Sequence, residues 1–260
     1  MSTGVERIAA AFAATDGHAA LMPYLMGGFP DLDASLAIGE AYADGGADLV
    51  ELGVPFSDPL ADGPVIHAAG TRALASGATV PAVIELARAL AERLPVVLMC
   101  YANLVMARGV ERFADELARA NVSGLIIPDL PLEESSAALG ACDAVGLALV
   151  PLVAPTTPEE RLARICAQAR GFIYAVSVTG TTGERTGVDA GALLARVQAH
   201  ATVPVALGFG IATPEQAAAA AAAGADGVIV GSRLVRAAAD DEDVRGLVAE
   251  LAAALRSTAH

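Results

Sequence analysis

Two acids, Glu51 and Asp62, are the residues of this sequence best suited to proton chemistry. Glu51 lies in an apolar run typical of a β-strand, on the face opposite Val50 and Leu52. A carboxylate within an apolar strand costs free energy unless it has a partner or a task. A loop stiffened by prolines follows the strand at Gly53, and this loop carries Asp62. The pattern predicts a site for proton transfer; the alternative is a solvated turn next to a chance Glu.

Glycine-containing segments late in the chain predict a phosphate site. Gly208-Phe-Gly210 and Gly231-Ser232 each follow a strand-like run, and the second opens a short helical stretch. Backbone amides in such turns and at helix N-termini bind phosphate without any net positive charge. Either segment alone is more typical of a simple turn. A third segment, 180–187, is rich in Gly and Thr and is expected to close as a lid, with a mobile loop as the alternative.

Composition excludes several other chemistries. All basic residues are Arg, so no Lys is present to form a Schiff base or to act as a general acid. The formal net charge of −14 argues against binding to nucleic acid or to an anionic membrane surface. The cysteines and histidines show no metal-ligand spacing, so no metal site is expected. The odd number of cysteines and the absence of a signal-peptide pattern predict buried thiols in a cytoplasmic protein.

These candidate residues must be positioned by alternating strands and helices. A short amphipathic helix beginning near Val5 comes first. Strands are predicted to start near Leu21, Leu49, Val96, Gly124, Ala148, Phe172, Val205 and Gly227. Helical patterns follow near 33–44, 79–94, 109–120, 133–145, 158–168, 190–200, 213–223 and 242–255.

Eight such units predict a (β/α)8 TIM barrel formed by residues 1–260 as a single domain, with an extra N-terminal helix. An open doubly wound sheet is the alternative. The two longest gaps between strand starts predict inserted loops after strands 2 and 6. Capping boxes with Pro at the first helical position are predicted at Thr157 and Thr213. Gly46 and Gly224 are predicted to end helices.

The stretch from Glu51 to Pro64 resembles the signature of the tryptophan synthase α chain family. The resemblance covers nearly the whole chain and continues at Met99-Cys-Tyr-Ala-Asn103, Pro128-Asp-Leu-Pro131, Ser177-Val-Thr-Gly180, Gly208-Phe-Gly210 and Gly231-Ser232. It implies cleavage of indole-3-glycerol phosphate to indole and glyceraldehyde 3-phosphate. It also implies an αββα heterotetramer, in which indole passes through a tunnel to a PLP-bearing β chain. No cofactor is implied in this chain.

The resemblance assigns roles residue by residue. Glu51 and Asp62 match the catalytic acids of the family. The implied substrate-binding set is Tyr24, Met99, Ile126, Tyr174, Thr182, Gly183, Phe209, Gly210, Gly231 and Ser232. The sequence departs from some members at Val178 and Thr181, which bears on lid closure rather than on the chemistry. His67, in the helical stretch after the acidic loop, is expected to serve packing.

Apolar and Pro residues on the loops that follow the strands predict an interface. The residues expected to touch the β chain are Asp58, Pro59, Leu60, Asn103, Leu104, Pro131 and Leu132. Two other functions stay open at this point. One is another phosphate-binding barrel enzyme, although the related indole-glycerol-phosphate synthases use Lys, which this chain lacks. The other is a non-catalytic subunit that binds the phosphate ligand and regulates a partner.

Overall fold

The computed structural model describes residues 2–176, 190–208 and 210–258. Parallel strands alternate with helices along these ranges, as the sequence predicts. The strands are β1 (Ala20–Met26), β2 (Val50–Gly53), β3 (Val96–Met99), β4 (Gly124–Ile126), β5 (Ala148–Leu149), β6 (Leu152–Val153), β7 (Ile173–Val176), β8 (Val205–Gly208) and β9 (Gly227–Val230). Each pair of neighbouring strands described is parallel, which matches strands linked by helical crossovers.

The described strands form one sheet in the order β5-β4-β3-β2-β1-β9-β8-β7-β6. Its two ends, β5 and β6, are halves of the fifth predicted strand, separated by Val150 and Pro151. The Val150 amide donates to the Leu125 carbonyl at 2.9 Å, and the Tyr174 amide donates to the Pro151 carbonyl at 3.0 Å. These two hydrogen bonds continue the pairing through the break. The sheet therefore curls into a (β/α)8 TIM barrel, and the open doubly wound alternative is wrong.

The helices follow the predicted pattern closely. They are α1 (Gly4–Ala13), α2 (Leu32–Gly45), α3 (Pro64–Ala75), α4 (Val80–Leu90), α5 (Ala102–Arg108), α6 (Val110–Arg119), α7 (Ser136–Val145), α8 (Glu159–Gln168), α9 (Ala190–Gln198), α10 (Pro214–Ala222), α11 (Ser232–Ala239) and α12 (Val244–Arg256), with a 3₁₀ turn at Leu132–Glu134. The long gap between β2 and β3 holds the acidic loop and an additional helix, α3. The predicted insertion after strand 6 lies outside the described residues.

One predicted helix cap is confirmed and one is wrong. Thr213 forms a capping box with Gln216 at the start of α10. At α8 the helix begins at Glu159 with Pro158 as its N-cap, and no side chain caps it. The Thr157 hydroxyl instead accepts from the Ala154 amide at 3.0 Å, within the turn before the helix. A threonine before Pro serves the turn here because it lies one residue too far from the helix to act as its cap.

Two layers of buried apolar side chains stabilise the barrel. Val50 and Leu52 belong to the layer between strands and helices, whereas Leu49, Val97 and Tyr174 belong to the barrel interior. Ile8 of α1 joins the interior layer and is fully buried beside Gly124 and Gly171, which precede or open strands. Helix α1 therefore covers the N-terminal end of the barrel, and the opposite end is left for a site.

Within the described ranges, no single helix is long and apolar enough to cross a membrane. Helices α3 and α4 pass the test of length and composition only as a pair, with a bend of 108° between them.

Candidate active site

A cavity of about 240 Å³ opens at the carboxyl ends of the strands, at the end of the barrel opposite α1. Its size suits a small organic molecule rather than a polymer. The wall includes the predicted residues Tyr24, Glu51, Asp62, Met99, Tyr174, Gly210, Gly231 and Ser232. Four strands, three loops and the start of α11 contribute these residues, so only the closure of the barrel brings them together.

Glu51 lies inside the barrel on β2, as the strand pattern predicts. It is 4% exposed, and neither carboxyl oxygen has a hydrogen-bond partner among the described residues. Burial, with a smaller contribution from the nearby charge of Asp62, raises the pKa of Glu51 from 4.5 to about 8. A buried acid without a partner is unfavourable for folding. Glu51 therefore holds its proton at neutral pH and is a natural proton donor to a molecule in the cavity.

Asp62 lies at the rim of the same cavity, in surroundings more polar than those of Glu51. Burial raises its pKa, while a hydrogen bond from Tyr101 and the charge of His67 oppose that rise. The Tyr101 hydroxyl donates to Asp62 Oδ1 at 2.7 Å. The two acids thus differ in environment, since Glu51 is desolvated without a partner and Asp62 has a donor. That difference favours the proton on Glu51 and the charge on Asp62.

Two tyrosines flank the acids, and glycines on neighbouring strands make room for them. A Cβ on Gly53 would collide with the Tyr24 hydroxyl, and a Cβ on Gly208 would collide with the Tyr174 ring. Burial raises the pKa of both phenols, and the charge of Glu51 adds to this for each of them. The phenols are therefore neutral, and their rings form an apolar wall suited to a flat aromatic ligand.

The same cavity carries the predicted anion site. Gly210, Gly231 and Ser232 lie there, and Ser232 opens α11 with Gly231 as the N-cap. The first amides of a helix have no intrahelical partner and attract anions. Arg233 and Arg236 of the same helix also line the cavity. The Arg233 guanidinium donates two hydrogen bonds to the Glu242 carboxylate, at 3.1 and 2.7 Å.

Some predicted site residues are not on the described wall. Ile126 is fully buried in the barrel interior beneath the cavity. Thr182, Gly183 and Phe209 lie outside the described residues, as do the lid departures Val178 and Thr181. His67 occupies an exposed position on α3 rather than the packed one expected, and its charge opposes the rise in the pKa of Asp62.

The predicted interface residues follow β2, β3 and β4, so they lie at the same end of the barrel as the cavity. Leu60 is 84% exposed, and Asp58, Asn103 and Pro131 are also exposed. Pro59, Leu104 and Leu132 are half-buried, and the two leucines pack partly against the core.

Sequence reasoning missed Tyr101 and the two arginines of α11. Tyr101 falls within the Met99–Asn103 motif, yet nothing in the sequence pairs it with a loop acid so far away along the chain. Arg233 and Arg236 follow the Gly231-Ser232 turn directly in the sequence. Their proximity to this predicted phosphate-binding turn could have identified them as site residues. No group of three or more potential metal ligands occurs in the part of the chain that the structure describes.

Two acids of opposed protonation preference, two tyrosine rings and a helix N-terminus line one cavity. The fold and this cavity are those of a barrel enzyme, and the two acids are suited to acid–base catalysis.

The sequence model of the family described as "Tryptophan synthase alpha chain" matches residues 11–259. The chain therefore belongs to the tryptophan synthase alpha chain family and is a lyase of tryptophan biosynthesis. The alpha chain of Prochlorococcus marinus (strain MIT 9313) is 51% identical over 225 residues, with 85% of this chain and 82% of the relative covered. That of Gloeobacter violaceus is 48% identical over 258 residues and covers 96% and 94%, respectively.

Solved structures agree with this assignment. A chain of Mycobacterium tuberculosis tryptophan synthase superposes with a TM-score of 0.90 at 41% identity, covering 96% of this chain and 98% of that one. A chain of the tryptophan synthase complex from Pyrococcus furiosus gives 0.83 at 33% identity, covering 90% and 98%. The barrel architecture is thus consistent with experimentally solved members.

Proposed function

We propose that this chain cleaves indole-3-glycerol phosphate to indole and glyceraldehyde 3-phosphate, with Glu51 as the proton shuttle and Asp62 as the acceptor of the indole N–H. The observation that carries the assignment of roles is the contrast between the two acids. Glu51 is desolvated with a pKa of about 8, whereas Asp62 accepts a hydrogen bond from a phenol.

The first step is protonation of indole C3 by the Glu51 carboxylic acid. The ring nitrogen supplies the electron pair, so positive charge develops at the N–H. The Asp62 carboxylate accepts a hydrogen bond from that N–H and stabilises the charge. A charge-assisted hydrogen bond of this kind is stronger than a neutral one.

The second step is cleavage of the carbon–carbon bond. The Glu51 carboxylate, now without its proton, removes the proton of the hydroxyl on the carbon attached to C3. The oxygen electron pair forms the aldehyde, and the electrons of the broken bond return to the ring to give neutral indole. Glu51 ends the cycle protonated, so one residue serves as acid and then as base. The sequence contains no Lys, and this route uses none.

The predicted anion site in the cavity is the proposed phosphate site. Gly210, Gly231 and Ser232 contribute donors there, with Gly183 and Thr182 as further predicted contacts. Tyr24, Met99 and Tyr174 would face the indole ring, with Ile126 beneath and Phe209 as an additional predicted neighbour. Holding the phosphate at one end fixes C3 against Glu51 at the other.

The proposal includes a PLP-dependent β chain as partner in an αββα assembly, docked over the mouth of the barrel. The exposed Leu60 and Pro131, on separate loops around that mouth, support this location. The proposal also includes a cytoplasmic location, which the three free and buried thiols support. A single domain over residues 1–260 stays a prediction, supported by one continuous sheet through all described strands.

The test is indole release by the purified chain, with and without a β chain, for wild type, Glu51→Gln and Asp62→Asn. Wild type is expected to release indole and each variant to lose at least about 100-fold in kcat, the usual scale for general acid–base catalysis. If a variant keeps more than a tenth of the wild-type rate, the substituted residue does not have the proposed role. A wild-type chain that binds the phosphorylated substrate but releases no indole would instead identify a regulatory subunit.

A further inference from the structure

Asp62 stands on a loop, and the described contact that fixes its carboxylate comes from another part of the barrel. Tyr101 immediately precedes α5 and is its N-cap residue, at the carboxyl end of β3. Its hydroxyl donates to Asp62 Oδ1 at 2.7 Å and accepts from the Ala61 amide at 3.0 Å. One phenol oxygen therefore holds both the backbone before Asp62 and its side chain.

The Tyr101 ring is itself held firmly. It is only 3% exposed and packs against Phe56 with ring centroids 5.4 Å apart. The backbone after it is anchored, because the Ala102 amide donates to Asp129 Oδ1 at 2.8 Å. A buried aromatic ring with an anchored backbone loses little further entropy when its hydroxyl binds a neighbour.

Tyr101 is absent from the described wall of the cavity, whereas Asp62 is part of it. The phenol is thus one layer behind the acid. Loop residues that carry charge need such support, because a misplacement of about 1 Å is enough to cost a large factor in rate.

We infer that Tyr101 is the positioning residue of Asp62: its phenol occupies Oδ1, favours the ionised form of the carboxylate and leaves Oδ2 to accept the indole N–H. The inference deepens the proposed function and rests on it. Tyr101 also joins the acidic loop to the start of α5, which carries the predicted partner contacts Asn103 and Leu104. A partner that moves α5 would thereby move the acid.

The charges around Asp62 determine what a change at Tyr101 does. The groups that interact with Asp62 or with the phenol are Glu51 on β2, Tyr24 on β1, His67 on α3 and Asp129 after β4. The Tyr101 hydrogen bond lowers the pKa of Asp62, against the rise caused by burial. Removing the hydroxyl removes that lowering, so Asp62 protonates at higher pH in the variant.

The experiment is the pH profile of kcat for indole release by the full chain between about pH 5 and 9, in wild type and Tyr101→Phe. The ring packing survives this change, since only the hydroxyl is lost. We expect kcat to fall by about tenfold at neutral pH, as for loss of a hydrogen bond to a charged group. KM should change little, and the acid limb should move to higher pH. A purely structural role would lower the rate without moving that limb.

Two further proteins keep the test decisive. Replacing Tyr101 by 3-fluorotyrosine retains the shape and makes the phenol a stronger donor, so the acid limb should move to lower pH. This protein also decides the matter if Tyr101→Phe does not fold. The matched control is Tyr42→Phe, which removes a buried hydroxyl that donates to the Tyr24 carbonyl at 3.2 Å and does not contact Asp62. Its acid limb should coincide with that of wild type.

The outcomes separate the two claims. If wild type releases no indole, the proposed function fails and the role of Tyr101 fails with it. If wild type is active but the acid limb is the same with Tyr, Phe and 3-fluorotyrosine at position 101, only the positioning role is overturned. A limb that moves equally in Tyr42→Phe would overturn it as well.

Discussion

Replacing Glu51 by Gln should make the protein more stable at alkaline pH while it destroys activity. Gln keeps the shape of Glu51 and cannot ionise. In wild type the pKa of Glu51 is raised from 4.5 to about 8, chiefly by burial. Between these two pH values the folded chain keeps the proton, whereas the unfolded chain has released it. Raising the pH therefore favours the unfolded state of wild type, and this contribution is absent in Glu51→Gln.

The size of the effect follows from the linkage between protonation and folding. Each pH unit in this window is worth about 1.4 kcal/mol for one proton. Between pH 5 and pH 8 the free energy of unfolding of wild type should fall by about 3 to 4 kcal/mol relative to the variant, because Glu51 is partly titrated at both ends of this range. Domains of ordinary stability have about 5–15 kcal/mol in total, so the change is large.

The assay is urea denaturation at a series of pH values for both proteins. Unfolding is followed by far-ultraviolet circular dichroism, because the chain contains no Trp. Only the difference between the two proteins matters, since other titrating groups act equally in both. Asp62→Asn is the matched control. It removes the lesser cause of the raised pKa of Glu51 and should leave most of the slope in place.

Parallel stability curves for wild type and Glu51→Gln would refute the reasoning. They would mean that Glu51 titrates near its ordinary value and reaches water or a partner in solution. The activity of wild type provides a second check. Glu51 must start protonated to act as the acid, so kcat should decline as the pH rises above about 8.

Three further predictions concern the rest of the site. Ser232→Asp should raise KM strongly with thermal stability unchanged, because its carboxylate would face the substrate phosphate; an unchanged KM in steady-state kinetics would locate the phosphate elsewhere. Gly53→Ala should lower kcat and Tm together, because its methyl group would displace the Tyr24 hydroxyl. A variant whose kcat and Tm both equal those of wild type would contradict the described packing. Leu60→Asp combined with Pro131→Asp should abolish acceleration of indole release by a β chain while basal activity survives, because charges would be buried in the contact; full activation would place the partner on another face.

The architecture could be predicted from the sequence, and so could two acids that the structure places on the wall of one cavity. Strand and helix segments alternate clearly, and the period of two in β2 correctly predicts Glu51 on the interior face opposite Val50. Local sequence patterns were sufficient where the interacting residues are close in the sequence, as in the capping box at Thr213. They failed at Thr157, where the hydroxyl had a competing acceptor role in the preceding turn.

The proton affinities of the two acids depend on the tertiary structure. Nothing near Glu51 in the sequence reveals that its oxygens lack a partner among the described residues, because desolvation depends on all the strands that close around it. The hydrogen bond from Tyr101 to Asp62 joins two segments that follow different strands, so no periodic pattern in the sequence predicts it. Local pattern thus fixes which face a side chain occupies. Closure of the barrel fixes its neighbours, and those neighbours set the proton affinities on which the chemistry depends.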